Sequence, residues 1–346
     1  MKKVKIITIS DNNNYGNRLQ SYALQIFLIN INNSLKVRTF WKRKYKFFRN
    51  TKINIKLFIK KIIRKKDGIR YFEFLKFNKN IKLSKKISNY DYYIVGSDQV
   101  WNPNFACKDY QLLTFTTNDK KISYAASIGL DNVDKETTNR FKENITNFKA
   151  ISVREDAGKK ILEKVTDRKD IEVLIDPTLL LTDKQWDKVS KKPKMLDCDK
   201  YILLYYLGSI SDERMKIIKD FADENNCKII NLLDRNSKYY TCGPSEFLYL
   251  EKHAFLICTD SFHSSVFGLI YNRPFIIFDR EQKGMNNMGS RIDTLISKFK
   301  LKNRRFNGKN ITEDNINHDY KEAYNILEIE RKKSEDYLKR ALDIKD

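Results

Sequence analysis

The segment CTDSFHSS, Cys258 to Ser265, follows the apolar stretch AFLI and precedes an apolar helical pattern that ends near Tyr271. Thr259, Asp260 and Ser261 are capping-type residues, so this order places His263 in the first turn of a helix. Unpaired backbone N–H groups and the helix dipole favour an anion there, a phosphate or a carboxylate. Ser261, Phe262 and Ser264 share that turn, and an imidazole beside an anion is suited to proton transfer. The same pattern also fits a histidine that caps its neighbours and binds nothing. His253, ahead of the strand, and His318, in a polar tail, are weaker candidates.

A second segment, SVRED from Ser152 to Asp156, also closes a strand. Arg154 brings a permanently charged planar fork that matches phosphate or carboxylate bidentately. Glu155 and Asp156 open the following helix, or else pair with Arg154 as an ordinary ion pair. A third is the loop Asp11 to Asn17 with the residues after it, where Gly16 allows close backbone approach and Tyr15, Asn17 and Gln20 are candidates for sugar hydroxyls. An Asn-rich loop standing alone is more often a plain turn, and the absence of G-x-G-x-x-G argues against a dinucleotide site. The fourth, VGSDQVWNPNF, ends a strand in Gly96, Ser97, Asp98 and Gln99, with Trp101 read as a packing residue. Asp176-Pro177 reads as a shaping element at the domain junction.

All of these lie where a strand gives way to a loop or helix, which is where open parallel sheets bind ligands. The elements behind them alternate. VKIITIS, YDYYIVGSD, KISYAASIG, KAISVRED and IEVLIDP are short apolar, β-branched runs separated by polar turns and helical patterns. A second series begins at YILLYYLG and continues through CKIINLL and AFLICTD. Strands alternating with helices imply α/β architecture with parallel sheets. The polar, lysine-rich stretch from Thr182 to Lys200 marks the boundary, giving a first domain over 1–185, a second over 198–310 and a helical tail over 311–346 that is long enough to cross back to the first.

At 346 residues with 41% hydrophobic content, the chain has material for two ordinary cores. No apolar run reaches the roughly 18 to 20 residues of a membrane span, and no signal-peptide pattern opens the chain, so a cytoplasmic location is expected. Five scattered cysteines without a C-x-x-C pair suggest reduced packing residues, and no clustered ligands suggest a metal. The net charge of +23 is concentrated between Lys36 and Lys86, where 20 Lys or Arg face only Asp67 and Glu73. Nucleic acid and an anionic membrane surface are the partners such a patch suggests, although the chain's bias towards Asn, Ile and Lys fits codon composition too. Within this stretch Ile55, Phe58, Ile59 and Ile62 repeat at helical spacing with Lys56, Lys60 and Lys61 off the stripe, a basic amphipathic helix for a membrane surface or for the protein's own core.

Taken in order, NYGNRLQSYALQ, YDYYIVGSDQVWNP, YAASIG, ISVREDAG, LIDPTLLL and TDSFHSSVFGLIYNRPF resemble the polysaccharide pyruvyl transferase family, over roughly Val4 to Leu301. One departure is Ser264, where members often carry Gly after the motif His. The resemblance implies a GT-B-like fold, with two Rossmann-type domains whose parallel sheets face across a cleft. It implies phosphoenolpyruvate as donor substrate with no further cofactor, and a sugar or lipid-linked oligosaccharide as acceptor. On this reading His263 and Arg154 are catalytic, and Arg154, Ser261, Phe262, His263 and Ser264 bind the donor. Tyr15, Gly16, Asn17, Gln20, Gly96, Ser97, Asp98 and Gln99 line the acceptor side. Residues 36–86 then suit an anionic membrane carrying the acceptor, and nucleic acid is not expected. A GT-B glycosyltransferase using a nucleotide sugar, a non-catalytic basic binding protein, and a family member that has lost transfer activity are the competing readings.

Overall fold

The computed structural model describes residues 1–10, 13–41, 65–104, 106–281 and 290–345. Residues 11 and 12 of the amino-terminal loop, and the amphipathic stripe of Ile55, Phe58, Ile59 and Ile62 with Lys56, Lys60 and Lys61, lie outside the described residues.

The first half begins β1 (Lys3–Ile7), α1 (Tyr15–Ile31), β2 (Lys36–Phe40), α2 (Lys65–Phe77), β3 (Leu83–Ser84), β4 (Tyr92–Val95) and β5 (Lys121–Ser123). It continues with α3 (Lys135–Ile145), β6 (Ser152–Val153), α4 (Asp156–Thr166) and β7 (Glu172–Val173). Five strands pair in the order β3-β2-β1-β4-β5, with every ladder parallel. Parallel bridges from Ile122 to Ala150 and from Ala126 to Val153 carry the pattern on to β6 and β7.

The second half comprises α5 (Asp183–Asp187), β8 (Tyr201–Tyr205), α6 (Asp212–Glu224), β9 (Lys228–Asn231), α7 (Pro244–His253), β10 (Leu256–Thr259), α8 (Phe262–Ile270), β11 (Phe275–Ile277), α9 (Ser290–Lys298), α10 (Glu313–Ile316) and α11 (Lys321–Ala341). Its sheet runs β11-β10-β8-β9, again parallel. Strand β8, YILLY, is buried at every position. Strands covered by helices on both faces read as unbroken apolar runs rather than alternating ones, which is why these segments stand out in the sequence.

The two halves do not keep separate interiors, as two ordinary cores would. One apolar cluster runs from Val4 and Ile6 through Tyr15, Trp186, Tyr205, Phe247 and Phe267 to Leu342. The outer face of each sheet has its own smaller cluster, one around Trp101 and Phe141 and one around Ile202, Ile218 and Phe278. The reason is large aromatics at the junction. Tyr15 stacks on Phe247 at 4.4 Å and on Phe74 at 5.2 Å, and Trp186 meets Phe267 at 5.1 Å. Rings of this size bury 150–250 Å² each, enough to fuse the halves. Helix α11 adds a strap. Its Tyr337 hydroxyl donates to the Ser123 carbonyl at 2.7 Å, and Arg331 donates to the carbonyls of Leu179 and Leu181. Among the described residues no helix is long and apolar enough to cross a membrane.

Candidate active site

Asp176 is the hub. It follows β7, is fully buried, and opens a short turn in which its Oδ1 accepts from the Thr178 backbone N–H at 3.0 Å and hydroxyl at 2.8 Å. Its Oδ2 accepts from Arg154 Nη1 at 2.6 Å and from the Ser97 hydroxyl at 3.0 Å, and faces His263 Nε2 at 3.7 Å. Burial pushes a carboxyl towards its neutral form. Here the nearby His263 imidazole, the Arg154 guanidinium and the Thr178 N–H outweigh burial, and Asp176 stays well below the usual carboxylate range.

Arg154 is likewise buried, its side chain 1% exposed. Beyond the bond to Asp176, its Nη2 lies 3.6 Å from Asp98 and its Nε 4.0 Å from Glu155, and neither nitrogen has a hydrogen-bond partner. The ring of Phe262 covers the guanidinium, with its centroid 4.7 Å away. Glu155 is anchored elsewhere, its Oε1 accepting from the Ser127 hydroxyl at 3.0 Å and the backbone N–H groups of Ile128 and Gly129 at 2.8 and 2.9 Å. Asp98, held by the Gln99 N–H at 2.8 Å, also accepts from the Asn17 side-chain amide.

His263 comes from the second half and Arg154 from the first. What lets them meet is Gly16: a Cβ at this position would overlap the His263 ring, so the first turn of α1 has to be bare there. The imidazole is 7% exposed, between Gly16 and Asp176, with Nε2 unbonded. Helices α1, α4, α8 and α9 all begin around this cluster, α9 through a 3.4 Å bond from the Asp156 backbone N–H to the Thr294 hydroxyl. Each helix contributes partial positive charge at its amino end.

Several expected positions fall into supporting places. Tyr15 is fully buried, donating to the Cys242 carbonyl at 2.8 Å and accepting from Arg70 at 2.7 Å, so it fastens the halves together instead of facing an acceptor. Gln20 is also fully buried, with its amide on the Thr8 hydroxyl at 2.8 Å. Ser97 is spent on Asp176 and on the Ala125 carbonyl, and Gly96, at φ +122°, packs against the Tyr124 carbonyl. Asn17 and Asp98 are bonded to each other within the Arg154 cluster and do not form a separate surface. Gln99 packs over Gly129. Trp101 is fully buried, its indole N–H on the Gln111 carbonyl. On the α8 side, Ser261 makes no capping bond with its side chain, whereas the Ser264 hydroxyl donates to Glu251 at 2.6 Å. His253 bonds the Tyr249 carbonyl and His318 the Ile316 carbonyl, both away from the cluster.

In the sequence Asp176 reads as a junction residue, and Glu251 and Arg291 carry no motif that singles them out. For Asp176 a signal was present, an Asp-Pro-Thr at a strand end that can fold its carboxylate back on its own turn. Glu251, on α7, is fully buried, and burial lifts its carboxyl well above the ordinary value despite the Ser264 bond.

A family model described as polysaccharide pyruvyl transferase matches residues 14–282, a span that holds Arg154, Asp176 and His263. The chain belongs to the polysaccharide pyruvyl transferase family. As a member of a transferase family it has a GT-B-like frame, two parallel sheets with helices on their faces. Among solved structures it is similar to UDP-N-acetylglucosamine 2-epimerase from Rickettsia bellii, at 11% identity over 100% of both chains with a TM-score of 0.50. A putative UDP-N-acetylglucosamine 2-epimerase from Listeria monocytogenes is similar at 12% identity, with 98% of this chain and 91% of that one covered and a TM-score of 0.48. No relative was found among curated proteins. For a pyruvyl transferase family member, the meeting of Arg154 and His263 on one buried carboxylate is the feature that can bear chemistry.

Proposed function

We propose that this protein transfers pyruvate from phosphoenolpyruvate to a sugar of a cell-surface polysaccharide or its lipid-linked precursor, closing a cyclic ketal. The observation that carries the reading is the Arg154–Asp176–His263 cluster at the amino ends of four helices, with two buried Arg154 N–H groups unbonded. Anionic donors suit such a place because charge-assisted bonds are strong where water is excluded. In the reaction the donor methylene takes a proton, C2 becomes electron-poor, and one sugar hydroxyl adds to it and gives up its proton. Phosphate then leaves with the C–O electron pair, and the second hydroxyl closes the ring and gives up its proton. His263 carries the proton, its ring lying between Gly16 and Asp176. Arg154 orients the donor and stabilises charge on the departing phosphate. Asn17, Asp98 and Gln99 are the acceptor-side residues nearest this chemistry.

The protein is further proposed to work at an anionic membrane surface through residues 36–86, where a lipid-linked acceptor is presented. In support, Ile69 and Phe72 lie one helical turn apart on α2 and are 41% and 51% exposed, within the most basic part of the chain.

A reaction run in deuterated water tests the proton step. The ketal methyl is expected to carry one solvent-derived deuterium, and His263→Ala to form product at least 10²-fold more slowly, on the order of a general acid–base contribution. Product at the wild-type rate from His263→Ala overturns the role given to His263.

A further inference from the structure

Arg154 alone is a poor anion receptor. Asp98, Glu155 and Asp176 all lie within 4.0 Å of its guanidinium, so an incoming phosphate or carboxylate meets three negative charges around one positive charge. A second cation is needed at this place, and the structure has one with no carboxylate of its own.

Arg291 opens α9, one turn before Thr294. The Thr294 hydroxyl is bonded at 3.4 Å both to the Asp156 backbone N–H and to the Asp156 carboxylate, which pins the start of α9 beside the Arg154 strand end. Residues three apart share a helix face, so Arg291 is carried on the side that meets Arg154. The charges that act on it are those of Arg154, Asp98, Glu155 and Arg280. Its side chain is half-buried, yet its Nε is out of reach of solvent and unbonded, as is the neighbouring Ser290 hydroxyl. Among the described residues no acid lies within ion-pair distance of Arg291, whereas Arg280 is neutralised by Asp260 at 2.9 Å. Buried donors without partners are rare and costly. Two unbonded donors at a helix amino end, next to a crowded arginine, are suited to an anion.

We infer that Arg291 and Ser290 form the phosphoryl-binding corner of this site, holding the phosphate of a phosphoester beside Arg154. This rests on the donor reading above, and it adds the residue that sets donor affinity. Burial and the Arg154 charge beside it push Arg291 down to about 10, so without an anion its charge is held at a cost that bound phosphate relieves.

The test is a titration of the full chain with inorganic phosphate, read by calorimetry and by thermal melting, for the wild type, Arg291→Gln and Arg291→Lys. Phosphate is expected to raise the wild-type Tm, since a ligand of the folded state stabilises it. Arg291→Gln should bind phosphate at least tenfold more weakly and Arg291→Lys less so, with both variants melting without phosphate no lower than the wild type. Equal phosphate affinity in Arg291→Gln, or no phosphate binding by the wild type, overturns the inference. Separate arms with phosphoenolpyruvate and a UDP-sugar identify which phosphoester the corner serves. If Arg291→Gln loses phosphate but the wild type makes no ketal, the corner stands and the pyruvyl reaction falls. If the wild type makes ketal and Arg291→Gln keeps the same KM for phosphoenolpyruvate, the reaction stands and the corner falls.

Discussion

At the scale of single residues, the buried carboxylates set the pH behaviour. Asp176 is charged in the folded protein and its carboxyl is depressed below the ordinary 3.8, so it contributes stability above that value that is lost as pH falls below it. Asp176→Asn leaves Arg154 without its shortest partner. Breaking a buried pair in this way costs about 3–5 kcal/mol, and a fall in Tm together with loss of turnover is expected, while an unchanged melt would show that the pair is not structural. Glu251 has the opposite sign. Its folded carboxyl is raised, so its stability contribution is full below the ordinary 4.5 and is lost as pH rises towards the folded value. Glu251→Gln keeps an acceptor for the Ser264 hydroxyl and removes that loss. The variant should melt higher than the wild type at pH 7 to 8, with the difference closing near pH 4, and a lower Tm across the whole range would contradict it. Nothing in PSEFLYLEKH marks Glu251 as a buried carboxylate, because burial there is set by helices distant in the chain.

At the scale of elements, strands and helices were legible because each sequence signal had one physical meaning. Apolar runs such as YILLY became covered parallel strands, and Asn14, Asp134 and Ser211 cap α1, α3 and α6 as their types suggest. The contact between elements was not legible. Gly16 read as a place for a ligand, but its bare Cα makes room for His263, which lies far along the chain in another helix. Gly16→Ala separates the readings. Alanine ordinarily favours a helix over glycine by about 1 kcal/mol, so a merely local role predicts a stabler, active enzyme. The contact with His263 predicts a displaced imidazole and a loss of activity of about 10²-fold, the order expected for a catalytic group moved by 1 Å, with the fold retained by circular dichroism.

At the scale of the whole molecule, the two series of apolar strands in the sequence correspond to two parallel sheets. The anchoring of the polar Thr182–Lys200 stretch between them was not readable: Trp186 inside it is fully buried against Tyr22 and Phe267. Aromatic packing across the junction holds together a cluster built from both halves. The basic charge between Lys36 and Lys86 was legible as a quantity and suggested a surface partner. Binding to vesicles rich in anionic lipid is expected in a flotation assay, weakening as salt screens the attraction, and flotation that ignores lipid charge would contradict membrane docking.

Whether the Arg154–Asp176–His263 cluster moves pyruvate is decided by incubating the protein with phosphoenolpyruvate and a panel of lipid-linked or aryl glycosides, measuring phosphate release and sugar mass together. Phosphate release is expected to be matched one for one by a pyruvyl ketal on one sugar class, with no such product from Arg154→Ala. Tight binding and turnover of a nucleotide sugar, with no binding of phosphoenolpyruvate, would contradict it.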